Sequence, residues 1–489
     1  VDVAKPSPAA CANTARRVAA ASKLDILATL FYQPSDAMTL AAAPLATDLL
    51  PADLLVCARW LIPIEPAATV LEHHAVAVRD GIIIGIEPTD AAKSRYRASR
   101  VVELPNHVVM PGLINAHGHA AMTLFRGLAD DYPLMTWLQD YIWPAEGQYV
   151  CEEFVRDGVE IAIAEMLRSG TTCFSDMYFF PGAAAEAAHR NGMRAQITFP
   201  VFDMPSAWGS NADDYLHKGL AVRDAFKHSQ YVTIGIGPHA PYTVGDESMQ
   251  KALTYAEELD MPMQIHLHET AFEVQDALEK TGMRPIHRLH NLGMLSPRLQ
   301  CVHMTTLDDT DIALLKKTGA HVVHCPESNL KLASGFCPVH KLQQAGINVA
   351  LGTDGAASNN DLDMFSELRT AAMLAKAVAG DATALPAHSA LRMATLNGAI
   401  AMGMDDRLGS LVVGKQADFI AIDFDTIETA PLYDPASQLT YTNVSHNVSH
   451  VWIAGECLLQ NRELTQINLT ELKAKAAAWQ QKLAHLRNR

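Results

Sequence analysis

The sequence has no Cys-x-x-Cys pair, no apolar run of the roughly 20 residues a membrane-spanning helix needs, and no excess of positive charge. Each gap narrows what the chain can be. Its eight cysteines (Cys11, Cys57, Cys151, Cys173, Cys301, Cys325, Cys337 and Cys457) are scattered over 489 residues, which argues against a disulfide framework or a cysteine-held zinc knuckle. Without a long apolar run, no membrane-spanning helix is expected. Lys and Arg number 38 against 54 Asp and Glu, and the net charge of −16 disfavours nucleic-acid phosphate and anionic membrane as partners. Hydrophobic residues at 49% with 28 glycines and 25 prolines fit a folded globular chain, not a collagen-like or largely disordered one. Arg16-Arg17 followed by Val18 to Leu30 has the outline of a signal peptide, but Lys23 and Asp25 interrupt the apolar run, so a cytoplasmic location is expected.

What is present is a change of rhythm along the chain. From about Asp48 to Val109, short β-rich runs such as Leu54-Leu55-Val56 and Ala75-Val76-Ala77-Val78 alternate with Gly, Pro and charged residues, with Asp80-Gly81 as a hairpin turn. After Pro111-Gly112 a strand, loop and helix succession repeats eight times. Its strands are 108–116, 171–175, 194–201, 231–237, 263–267, 300–303, 321–325 and 348–352. Eight such units over roughly 300 residues predict a (β/α)₈ barrel of the TIM type. Beyond Leu408 short strands return, and Leu469 to Leu486 reads as an amphipathic surface helix. The expected fold class is therefore α/β: a barrel over 111–407, and a small β-sandwich domain built from both chain ends, 48–110 plus 408–489. Residues 1–47 form an N-terminal extension expected to be poorly ordered.

The chemistry lies at the strand ends. Strand 1 runs into His117-Gly118-His119, strand 4 into His239, strand 5 into His266-Leu267-His268-Glu269, strand 6 into His303 and strand 8 into Asp354. Strand C-termini of a (β/α)₈ barrel converge on one face, so residues far apart in sequence meet there. Imidazoles with a carboxylate suit zinc or iron and leave a position for water, which makes His117, His119, His266 and Asp354 metal-ligand candidates. Glu269 reads either as a helix N-terminal cap or as an acid/base group beside a metal ligand, with the second favoured. His239 and His303 match the same inventory, although a buried histidine donating to a carbonyl has the same signature.

Pro111-Gly112-Leu113-Ile114-Asn115-Ala116-His117-Gly118-His119 resembles the opening motif of the amidohydrolase superfamily, and Gly352-Thr353-Asp354-Gly355 resembles its strand-8 aspartate motif. The stretches from Met122 to Asp131, Trp143 to Glu146, His266 to Thr270 and Gly355 to Asn360 are similar to the 5′-methylthioadenosine/S-adenosylhomocysteine deaminases. The resemblance covers about Asp53 to Cys457; the first 50 or so residues match no motif of the family. It implies a metal-dependent aminohydrolase that deaminates 5′-methylthioadenosine and S-adenosylhomocysteine, adenosine-type nucleosides, to the inosine-type product and ammonia. Two-metal members of the superfamily carry a lysine at the end of strand 4, whereas this strand ends Gly235-Ile236-Gly237-Pro238-His239, so one divalent ion per chain is implied, zinc first and iron second. Such an ion lowers the pKa of bound water from about 15.7 to about 7. The resemblance gives Glu269 the proton transfers, and His303 and Asp354 the orientation of water. It gives Glu146 the ribose hydroxyls and His239 a nucleoside contact, while Trp137 and Met122 are candidates for an apolar wall. Ser328 and Asn329 are read as shaping a loop.

The implied partner is a small-molecule nucleoside, with no nucleic acid and no membrane, and a homo-oligomer is compatible with the sequence. Two other readings stay open: a related hydrolase acting on a guanine-like base or a chloro- or amino-triazine, and a non-catalytic scaffold. The intact ligand set with Glu269 argues against the scaffold, and Glu146 argues against a free base, which has no ribose diol.

Overall fold

The computed structural model describes residues 49–488, so the expectation for residues 1–47 lies outside the described residues. Strands fall into three blocks along the chain. The first is β1 (Leu50–Leu61), β2 (Leu71–Arg79), β3 (Ile82–Pro88) and β4 (Tyr96–Pro111). The second is β5 (Leu113–Asn115), β6 (Thr171–Met177), β7 (Arg194–Val201), β8 (Val232–Pro238), β9 (Met263–Leu267), β10 (Leu299–His303), β11 (His321–His324) and β12 (Val349–Leu351). The third is β13 (Phe419–Asp423), β14 (Val448–Ile453), β15 (Glu456–Gln460) and β16 (Glu463–Leu464).

The outer blocks pair into one mixed sheet in the order β16-β15-β14-β13-β4-β1-β2-β3, so both chain ends build it, as expected. Val56, Val76, Phe419 and Trp452, from strands of both outer blocks, share one buried hydrophobic cluster of this sheet. Its far hairpin, turned at Asp80 and Gly81 with positive φ at both, reaches the chain just before β13: Ala417 N–H donates to the Gly81 carbonyl at 2.8 Å. A side chain at Gly81 has no room, because its Cβ would lie 2.8 Å from the Ala454 carbonyl oxygen.

The middle block forms an eight-stranded parallel sheet in sequential order, with helices between the strands. All eight expected strands are present, with one boundary corrected. The apolar run at 108–111 belongs to β4 of the mixed sheet, and the first barrel strand is only Leu113–Asn115. The change of sheet falls at Gly112, whose N–H donates to the Asp418 carbonyl and whose Cβ would overlap the Thr172 side chain. β5 and β12 meet at the seam: Ala116 N–H donates to Leu351 O at 2.9 Å and Asp354 N–H to His117 O at 3.1 Å. The buried Asn115 amide clasps Thr353 twice across it, donating to Oγ1 at 2.7 Å and accepting from the backbone N–H at 3.0 Å.

The C-terminal helix, Leu469–Leu483, docks through Leu472, Trp479 and Leu483; Trp479 packs edge-on against Phe154 and donates its Nε1–H to Asp157 at 2.9 Å. Among the described residues no helix is long and apolar enough to cross a membrane.

One buried ion pair ties barrel to sheet. Arg194, at the start of β7, donates Nε–H and Nη2–H to the Asp418 carboxylate at 2.5 and 3.0 Å, with both side chains no more than 6% exposed. Removing one member of such a pair leaves an uncompensated buried charge. Arg194→Met is therefore expected to cost about 3–5 kcal/mol in urea unfolding, and adding Asp418→Asn to recover part of it. A loss below about 1 kcal/mol shows that the junction does not need the pair.

Candidate active site

The barrel places the expected residues on one face. His117 and His119 follow β5, His239 follows β8, His266 lies in β9, His303 ends β10 and Asp354 follows β12. Each candidate ligand ring is anchored through its outer nitrogen. His117 Nδ1 pairs with Gln264 Oε1 at 2.7 Å, His119 Nδ1 with the Met177 carbonyl at 2.6 Å, and His266 Nδ1 with the His239 carbonyl at 2.8 Å. These anchors turn the Nε2 atoms inward. Asp354 Oδ1 lies 3.2 Å from His119 Nε2 and 3.5 Å from His117 Nε2. The donor atoms of His117, His119 and Asp354 lie within 4.8 Å of one another, as do those of His117, His266 and His303.

The electrostatics fit a cation among these groups. His117 Nε2 is fully buried without a hydrogen-bond partner. Burial pushes the His117 and His266 rings toward the neutral form, which is the form that ligates metal. Burial also works against charge on Asp354, yet the His117 and His119 rings outweigh it and hold the carboxyl well below its ordinary range. His119 is the counterpart: burial opposes its charge, but the Asp354 carboxylate lifts it to about 9. The carboxylate thus calls for positive charge at this point.

Two site residues have left-handed backbone, unusual for side chains of this kind: His303 at φ 77° and Asp354 at φ 61°. Ser328 and Asn329 hold them. Ser328 Oγ donates to Asp354 Oδ2 at 2.7 Å, and Asn329 Oδ1 pairs with His303 Nδ1 at 2.9 Å. The loop-shaping role read from the sequence therefore understates both residues. Their position directly after the seventh barrel strand was the available signal.

Glu269 is not the cap of the helix Ala271–Thr281. Thr270 Oγ1 accepts from the Glu273 N–H at 3.2 Å, and the Glu273 carboxylate reaches back to the N–H groups of His268 (3.0 Å) and Glu269 (2.8 Å). The Glu269 side chain instead faces the cavity, with Oε2 3.8 Å from His303 Nε2. Burial first, and then the Asp354 carboxylate, raise its pKa to about 8.

Met122, Trp137, Glu146 and His239 line the same cavity as His119, His266, Glu269, His303 and Asp354, while His117 is fully buried. Glu146, on the short helix Trp143–Tyr149, accepts from the Tyr178 hydroxyl at 2.7 Å. The His239 ring stacks on Phe202 with centroids 4.5 Å apart, and its Nδ1 pairs with the Thr243 hydroxyl. Sequence reasoning missed the lining residues Tyr178, Phe179, Phe202, Met204 and Tyr242, which sit on loops after β6, β7 and β8 with no motif to mark them.

A barrel of this topology with a His and Asp cluster at its strand ends defines a metal-dependent hydrolase class, and the model of the amidohydrolase family matches residues 108–458. A relative from Saccharophagus degradans, named 5-methylthioadenosine/S-adenosylhomocysteine deaminase, is 57% identical over 437 residues, 89% of this chain and 98% of its own length. The chain belongs to the amidohydrolase family and, within it, to the 5-methylthioadenosine/S-adenosylhomocysteine deaminase family; it is a hydrolytic deaminase. An adenosine deaminase from Xanthomonas campestris, solved with bound zinc, superposes with a TM-score of 0.89 at 50% identity, covering 89% of this chain and all of that one. A zinc complex of atrazine chlorohydrolase from Arthrobacter aurescens shares the fold at a TM-score of 0.82 and 23% identity, covering 87% of this chain and 99% of that one.

The capping arrangement beside Glu269 is open to test by chemical denaturation. Thr270→Ala removes an ordinary helix cap and is expected to cost about 1 kcal/mol. Glu273→Ala strips the acceptor from two backbone donors at about 1–3 kcal/mol each and is expected to cost at least twice as much. Equal losses indicate that the His268 and Glu269 amides find other acceptors.

Proposed function

We infer that the protein deaminates 5′-methylthioadenosine and S-adenosylhomocysteine to the inosine-type product and ammonia, using one divalent ion per chain, zinc in first place. The observation that carries this reading is that Glu269, His303 and Asp354 share one cavity with Glu146, so a base-processing end and a sugar-binding end face the same space. His117, His119, His266 and Asp354 would hold the ion. When bound, a divalent ion supplies Lewis acidity that brings water within reach of deprotonation near neutral pH. No lysine stands at the end of β8, which is why a single ion is proposed.

The chain's own residues then have distinct tasks. Glu269, with its pKa moved toward neutrality, takes a proton from the attacking water and passes it to purine N1, which makes C6 electrophilic. His303, fixed by Asn329, and Asp354, fixed by Ser328, orient the water oxygen toward C6. The second water proton, left on the C6 oxygen, then passes to the amino group, which leaves as ammonia as the C6–N bond breaks and the C6 carbonyl forms. Glu146 accepts the 2′- and 3′-hydroxyl protons of ribose, and its bond from Tyr178 sets the direction of that carboxylate. His239, stacked on Phe202, meets the nucleoside, while Trp137 and Met122 wall it.

The reading is tested by following ammonia release from methylthioadenosine, adenosine, guanine and melamine; release from the last two alone overturns it. Elemental analysis of active protein is expected to give about one metal per chain, and two ions both needed for activity contradict the single-ion scheme. Glu269→Gln is expected to keep the metal while turnover falls about 10²-fold or more; nearly unchanged turnover moves the proton transfer elsewhere.

A further inference from the structure

We propose that this cavity selects apolar 5′-substituents, so that a 5′-alkylthio nucleoside is a much better substrate than one carrying the homocysteine zwitterion; this deepens the nucleoside-deaminase reading and rests on it. In a ribose, the 2′,3′-diol lies between C1′, which carries the base, and C4′, which carries the 5′ arm. With the base at the His and Asp cluster and the diol on Glu146, the 5′ arm runs away from the cluster, past the residues beside Glu146. Those residues are aromatic. Tyr178, bonded to Glu146, has its ring 5.3 Å from Phe179; Phe179 stacks on Phe202 at 5.8 Å, and Phe202 lies 5.8 Å from Tyr215. Met204 and Pro205 extend the wall on the loop after β7.

Charge points the same way. Among the described residues no Lys or Arg lines the cavity, and a substrate carboxylate would be the fourth carboxyl group there beside Glu146, Glu269 and Asp354. Lys218, on the helix that follows this loop, already donates to the Trp208 carbonyl at 2.8 Å and to Asp214 at 2.9 Å. Lys280 and Arg288 line a neighbouring depression that shares Leu134, Trp143, Met204, Tyr242 and Glu269 with this cavity. There Lys280 pairs with Asp276, and Arg288 with Asp246 and the carbonyls of Pro241 and Val244. An amino-acid zwitterion along the aromatic wall would leave water with no cationic side chain lining the cavity to meet its carboxylate. A thioether loses nothing there and gains sulfur–aromatic contacts.

The test separates charge from length by using the metal-replete protein with adenosine, methylthioadenosine, 5′-butylthioadenosine and S-adenosylhomocysteine, with ammonia release as the readout. The expected result is that the butylthio compound stays within about threefold of methylthioadenosine, while S-adenosylhomocysteine falls at least about 10-fold below the butylthio compound in kcat/KM, equivalent to about 1.4 kcal/mol. Equal kcat/KM for those two long substrates overturns the selection and leaves the deaminase reading standing. No turnover of any of the four defeats both. Phe179→Arg, which sets a cation on the wall over Phe202, is expected to raise S-adenosylhomocysteine relative to the butylthio compound by about fivefold or more. An unchanged ratio in that variant shows that the wall does not flank the 5′ arm and overturns the proposal.

Discussion

Closing a parallel sheet of eight strands on itself forces its first and last strands together, and the rest of the site depends on that seam. Here β5 and β12 are only three residues each, so backbone pairing alone gives them little register. The Asn115 amide supplies it, accepting and donating across to Thr353. Gly352 is required at the crossing because a Cβ there would lie 2.8 Å from both the N and O of His117. His117 and Asp354, one residue or two beyond these contacts, are thereby brought together with no direct covalent or local reason to meet.

A polar site at the mouth of a packed barrel also needs support from below. Gln264, which orients His117, is buried, and its amide donates to the Ala116 carbonyl and to Gln300. Gln300 in turn donates to Gln196, and Gln196 to the Met402 carbonyl. The three side chains carry hydrogen bonds from one to the next across the barrel interior, which is what makes buried amides tolerable in a low-dielectric core. Around the rim, Ser328, Asn329 and Glu273 hold the left-handed backbone at Asp354 and His303 and the turn at Glu269, so that strained conformations persist because several partners over-determine them.

The two sheets are joined by chemistry of a different kind. The chain passes from one to the other at Gly112, where only a missing side chain fits beside Thr172, and the Arg194–Asp418 pair fastens the barrel's third strand to β13's approach. Asp418 also accepts from Ala454 N–H, so one carboxylate serves the barrel, the β14–β15 turn and the guanidinium together.

The eight barrel strands, the composite sheet and the metal-ligand candidates were legible in the sequence because period, turn residues and strand-end histidines are local patterns that need no partner to be seen. Glu269 was legible as a candidate, but its choice between cap and cavity was not; that was decided by Thr270 and Glu273 taking the capping bonds. The first barrel strand starts later than its apolar run suggests because residues 108–111 satisfy either sheet, and only their tertiary pairing with β13 and the close approach of Gly112 to Thr172 separate the two. Ser328, Asn329 and Gln264 act through hydrogen bonds to residues 26 to 147 positions away, and Phe179, Phe202 and Tyr215 form a wall only once loops after different strands are gathered. Sequence by itself determined which residue types could do the chemistry and that strand ends would collect them; tertiary structure decided which side chains support them and which line the cavity around them, because those properties belong to side-chain contacts between segments that share no local pattern.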